Sequence, residues 1–159
     1  MDPGILIPVK GYGGHERLVE MFAREYHRLG HEVHLLITGG SEVEGCMVHD
    51  FGKEGFPPSK RDAKRAIPVA WKFLRKYGND FDLVHNFGRL VYLLPLLRKP
   101  VKKIMTYGRE ISNRNVKMFH KMMGKNIVYT ACSADLLSRV KTKDDWKVVY
   151  NAIEFSKYT

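Results

Sequence analysis

Cysteine is nearly missing from this 159-residue chain, which has only Cys46 and Cys132. A disulfide framework is therefore excluded, and the two thiols read as reduced, as in a cytoplasmic protein. Long apolar runs are also lacking. The longest, Leu90 to Leu97, falls far short of the roughly 20 residues that span a bilayer. The opening Met1-Asp2-Pro3-Gly4 has no basic stretch followed by an apolar one, so no secretory leader is expected. Acidic charge is scarce, with 17 Asp and Glu against 27 Lys and Arg, a net charge of +10. Such an excess favours a polyanionic partner: nucleic acid, an anionic membrane surface or a phosphorylated ligand. Nucleic-acid signatures are absent, with no RRM aromatic pair, zinc-knuckle spacing or KH-type clamp. Nucleic acid is accordingly not an expected partner. What remains is 44% hydrophobic, enough for a true core at the size of one domain.

Strand and helix patterns alternate. Ile5-Leu6-Ile7 is a β-prone run closed by Pro8. Leu18, Val19, Phe22, Tyr26 and Leu29 then recur at helical spacing, with charged residues between them and Gly30 placed to end the helix. His31 to Ile37 predicts a buried strand, and Cys46 to Phe51 a short one. Ser59 and Asp62 resemble the cap of a helix running to about Tyr77, which Pro68 should kink or divide. Phe81 to Phe87, Lys102 to Tyr107, Ile127 to Cys132 and Lys147 to Tyr150 predict further strands. Helices are expected over Arg89 to Arg98 (interrupted by Pro95), from Ser112 to about Met123, and from a Ser133 cap to Val140. The fold class is α/β, a Rossmann-like parallel sheet with helices on both faces.

In such a sheet ligands sit at the carboxyl ends of the strands. Gly11-Tyr12-Gly13-Gly14 falls there, before the first helix, and glycines let backbone N–H groups approach an anion. A tight turn that merely needs positive φ angles is the plainer reading. A nicotinamide cofactor would want a third glycine where Glu16 stands and an acid ending the second strand; Glu42 comes only beyond Gly39-Gly40. A nucleoside-triphosphate loop would need Gly-Lys-Ser/Thr, which is absent. No cofactor is expected.

The segment Pro8 to Arg17, with its Gly13-Gly14-His15-Glu16-Arg17, resembles the start of glycosyltransferase family 4. Gly30-His31-Glu32-Val33, Asp82-Leu83-Val84-His85, Thr106-Tyr107-Gly108, Ala131-Cys132-Ser133 and Tyr150-Asn151-Ala152-Ile153-Glu154-Phe155 are each similar to the family's segments, in the same order. The resemblance implies the N-terminal, acceptor-side half of a GT-B fold, as one domain over residues 1–159. The C-terminal domain, which carries most nucleotide-sugar contacts, would then lie outside this chain. It further implies a retaining, hexosyltransferase-type enzyme, inactive as this domain alone, that moves a sugar from a nucleotide diphosphate sugar to a saccharide or lipid-linked acceptor. Substrate-binding residues implied are Gly13, Gly14, Glu16, His85, Tyr107, Gly108, Arg109, Ser133 and Asn151; a catalytic nucleophile is not evident. Tyr107 departs from the family's histidine and Ala152 from its glycine. The alternative is a non-enzymatic basic module for nucleic acid or anionic membrane.

Three further patterns carry less. Asp80-Phe81-Asp82 spells a metal-binding motif, but its strand follows instead of leading, so no metal site is expected. His27, His31 and His34 are separated by Gly30, which destroys helical ligand spacing. Lys60 to Tyr77 and Lys117 to Lys125 are basic segments with interleaved Trp71, Phe73, Met118, Phe119 and Met122. Each is a solvated helix face or a face that rests on anionic lipid at the inner side of the membrane.

Overall fold

The computed structural model describes residues 1–57, 60–123, 126–141 and 146–154. Two compact units are present. One is Met1–Ala66 with the segment from Asn151, the other Ile67–Tyr150. Every strand pair is parallel, as the alternating pattern requires, but the strands form two ladders rather than one.

In the first unit, helix α1 (Gly14–Arg28) buries Leu18, Val19 and Ala23 and exposes Arg24, Glu25 and Arg28. Its end is set by Gly30 at φ 88°. The amide of Gly30 donates to the His27 carbonyl and that of His31 to the Tyr26 carbonyl, a Schellman closure that satisfies two terminal carbonyls. Strand β1 (His34–Ile37) pairs with β2 (Met47–Asp50), His34 opposite Met47 and Ile37 opposite Asp50. Ile7, Val33, Ile37, Val43 and Phe51 are buried in this unit.

The expected first strand does not form. Ile5 to Ile7 lies outside both ladders, although Ile7 is buried. The amide of Gly4 donates to Thr38 Oγ1 and that of Ile7 to Ser41 Oγ, both hydroxyls being buried. Side chains after β1 thus satisfy groups that a strand would have paired with backbone. Pro3 and Pro8 on either side remove two further donors.

Helix α2 (Lys60–Tyr77) crosses the boundary between the units and is not divided at Pro68. The expected cap at Ser59 lies outside the described residues. In the second unit, strands β3 (Leu83–Asn86), β4 (Lys102–Tyr107), β5 (Ile127–Ala131) and β6 (Trp146–Val148) lie in the order β3-β4-β5-β6. A 3-10 helix (Leu90–Leu96), rather than an α-helix, joins β3 to β4, with Pro95 inside it. Helices α3 (Asn113–Met123) and α4 (Ala134–Ser138) make the next two crossings. Leu74 of α2, Leu90, Leu93 and Leu96 of the 3-10 helix, and Val116 and Phe119 of α3 share one core with Met105 and Tyr129. Lys103 is also buried there, its ammonium donating to the carbonyls of Lys99 and Val101, and burial pushes its pKa down. It stands at the amino end of β4, so its role is to close the chain before that strand.

Candidate functional site

The candidate residues fall into two sets, one in each unit. The first is the glycine loop. Gly13 is buried and occupies the N-cap of α1 with φ 149°. A β-carbon there would stand 2.8 Å from Val9 Cγ1 and 3.2 Å from Glu16 Oε2, so both backbone shape and space demand glycine. Gly14 differs. It is exposed, and a β-carbon there would meet nothing within 4 Å. The helix start therefore has no side-chain cap and an open approach to its backbone. Glu16 is half-buried in the first turn. Arg17 folds back to donate to the Gly11 carbonyl at 2.8 Å, holding the loop to the helix it precedes. Tyr12, 80% exposed, sets its ring 5.4 Å from that of exposed Phe56, the two planes tilted by 37°. Asn151 is exposed in the segment after β6.

The second set lies at the carboxyl ends of β3, β4 and β5. His85 Nε2 is 2.7 Å from Thr106 Oγ1, which is 2.7 Å from Thr130 Oγ1. Three neighbouring strands thus place one polar row on one sheet face, in keeping with register, since Thr106 pairs with Thr130. A threonine hydroxyl has one proton and two lone pairs, so Thr106 can serve both neighbours at once. The ring of Phe87 covers His85 at 4.0 Å. Burial pushes the His85 pKa down to about 4, so the imidazole is neutral near neutral pH. A neutral imidazole carries one donor and one acceptor nitrogen, so its hydrogen bonding is set by its tautomer and not by charge.

Tyr107 does not join this row. Successive residues of a strand face opposite sides, so Thr106 and Tyr107 diverge. The Tyr107 ring packs against the core beside Trp146, 5.7 Å away, and burial pushes its phenol pKa up. Gly108 and Arg109 are exposed just past the end of β4. Ser133 is committed to α4: its hydroxyl accepts from the Leu136 amide at 3.0 Å, the cap expected of it. Thr106 and Thr130 were not among the residues anticipated. Their signal was a threonine on each of two adjacent strands, but only the register reveals that they meet.

The other patterns resolve simply. Asp80 and Asp82 precede β3, at the amino end of the sheet. His34 is bonded to Glu32 and to His49, with the two imidazoles stacked at 5.1 Å. Burial, then the neighbouring His34, push the His49 pKa down. Among the described residues no group of three or more His, Cys, Asp or Glu is placed to hold a metal ion. Trp71 donates its indole N–H to the Val91 carbonyl at 3.0 Å, so this ring is held within the second unit. No helix among the described residues is long and apolar enough to cross a membrane.

Comparison with known families finds that the model described as Glycosyltransferase Family 4 matches residues 12–157. No curated protein matches the chain.

Proposed function

Because the chain belongs to glycosyltransferase family 4, we propose that it is the acceptor-binding half of a retaining enzyme of the hexosyltransferase type. The donor is a nucleotide diphosphate sugar, and the acceptor a saccharide or lipid-linked saccharide. A second Rossmann-like domain, outside this chain, holds most of the donor. The reaction runs in the cytoplasm, at the inner face of the membrane when the acceptor is lipid-linked. The observation that carries this reading is the open Gly14 backbone at the uncapped start of α1.

That geometry supports a chemical role. The departing diphosphate gathers negative charge in the transition state, and backbone N–H groups aimed at it stabilise that charge without reorganising. The amides of Gly13 and Gly14 are candidates on this side, with basic side chains of the second domain opposing them. His85, neutral and bonded to Thr106, marks the strand end at which the acceptor is held. Gly108, Arg109 and Asn151 are exposed.

The test is calorimetry of this chain with a panel of UDP- and GDP-sugars, followed by a transfer screen with the second domain joined. The chain alone should bind weakly or not at all and turn nothing over. Micromolar binding by the chain alone would sink the division of labour. A product with inverted anomeric configuration would sink the retaining assignment.

A further inference from the structure

Helix α3 (Asn113–Met123) has one side fixed by the core and another with no apparent reason to be apolar. Val116 and Phe119 are buried, at 0% and 4% exposure. On the opposite side Met118 and Met122, one helical turn apart, are 51% and 45% exposed. Arg114, Lys117 and Lys121 are exposed beside them on the same stripe, at i, i+3 and i+7. The helix itself contains no acid. Indeed the whole stretch from Ile111 to Ala134 contains none, the flanking acids being Glu110 and Asp135. The 3-10 helix on which α3 packs is uncharged along its length. Nothing on these elements therefore neutralises the three cations locally.

We propose that this face of α3 rests on an anionic lipid bilayer, with Met118 and Met122 entering the acyl boundary and Arg114, Lys117 and Lys121 on the headgroups. Two features favour lipid over a folded partner. Methionine is unbranched and flexible, so it gains burial in a fluid medium without needing a shaped pocket. Long basic side chains can lay their stems on apolar surface while their heads stay with phosphate. The comparison with α2 sharpens the choice. That helix is also basic, but its tryptophan, Trp71, is turned into the second unit and bonded there. Its exposed face includes Asp62 and presents Val69, 39% exposed, as its large apolar group. The assignment deepens the membrane-side part of the proposed function and rests on it. It does not depend on which sugar is transferred.

The experiment is co-sedimentation of the chain with vesicles of phosphatidylcholine alone and of phosphatidylcholine with phosphatidylglycerol, at low and high salt. Binding is expected with the anionic vesicles only, and should weaken as salt shortens the screening length. Lys117→Gln with Lys121→Gln should lower the partition coefficient by about tenfold or more. Met118→Ser with Met122→Ser should also lower it, and should leave a binding that high salt abolishes completely. Both pairs are exposed, and circular dichroism checks that each variant keeps its fold. Lys64→Gln with Arg65→Gln on α2 should lose much less than the α3 charge pair. Equal recovery with both vesicle types overturns the proposal. So does unchanged binding in both α3 variants, or capture by anionic polymer in place of vesicles with the methionine pair irrelevant. In the protein joined to its second domain, transfer to a water-soluble acceptor should be unaffected by the α3 variants. That readout separates failure of this surface from failure of the transferase reading.

Discussion

His85 is half-buried at the end of β3 and keeps a chemical handle. Its imidazole is neutral because burial opposes its charge, with a pKa near 4 against an ordinary 6.5. The unfolded chain therefore takes up a proton as pH falls below 6.5, and the folded chain resists until about 4. Stability from this group is complete above the unfolded value and is lost as pH falls through that window. The loss is on the order of 3 kcal/mol. Denaturation at a series of pH values should show a shallower decline in His85→Gln than in the parent between pH 6.5 and 4. Parallel curves would mean that the ring is solvated or paired in a way the burial argument misses. The two glycines of the loop separate by a similar logic. Gly13→Ala forces a β-carbon on Val9 and a backbone at φ 149°, a cost of about 1–3 kcal/mol. Gly14→Val meets open space and should leave the melting temperature nearly unchanged. In the protein joined to its donor domain it should still cut transfer by more than about tenfold, because the branched side chain fills the approach to the helix start. Full transfer activity in that variant would reduce the loop to a turn.

At the scale of elements, what was legible was what local chemistry decides alone. Strand β4 runs from Lys102 to Tyr107 as its apolar pattern predicts, and α1 ends where Gly30 ends it. Ser133 caps α4 as its position suggested. The failures share another cause. Ile5 to Ile7 has strand composition, yet Ser41 takes the amide of Ile7 and Thr38 that of Gly4 just before the run, each more than thirty residues away. The segment around Pro95 has helical composition, yet the proline removes a donor and the turn tightens to 3-10 form. The candidate site was legible only in part for the same reason. His85 was singled out because it ends a strand, but its meeting with Thr106 and Thr130 needed the register between strands, and the direction of Tyr107 needed the face. The cap at Gly30 offers a clean test of local control. A β-carbon there would touch nothing, so any cost is the left-handed backbone alone. Gly30→Val should destabilise by about 1–2 kcal/mol in urea titration, and Gly30→Asn by clearly less. Equal costs would show that tolerance of the left-handed backbone is not what decides this position.

At the scale of the molecule, each of the two units carries its own ladder, and the ladders are unequal. The second unit has four parallel strands over a core that gathers α2, the 3-10 helix and α3. The first has two, and the segment that would have supplied a third pairs with side chains. A two-stranded ladder is marginal by itself and depends on the elements packed around it. Local opening is easiest where few strands share the load, and binding loops tend to occupy such regions. The glycine loop sits in the first unit, so its mobility and its stability are expected to be linked. Native-state hydrogen exchange measures this directly. The amides of Met105 and Tyr129, in the central strands β4 and β5, should open only with global unfolding. Those of Leu35 and Leu36, in β1, should open at a lower free energy and in advance of it. In the protein joined to its donor domain, adding a nucleotide sugar that engages the glycine loop should slow exchange in α1 and β1 while leaving β4 and β5 unchanged. If Leu35 and Leu36 are as protected as Tyr129 without ligand, the two units unfold as one. The loop would then be held as rigidly as the sheet, and the open backbone at Gly14 would act as a preformed site.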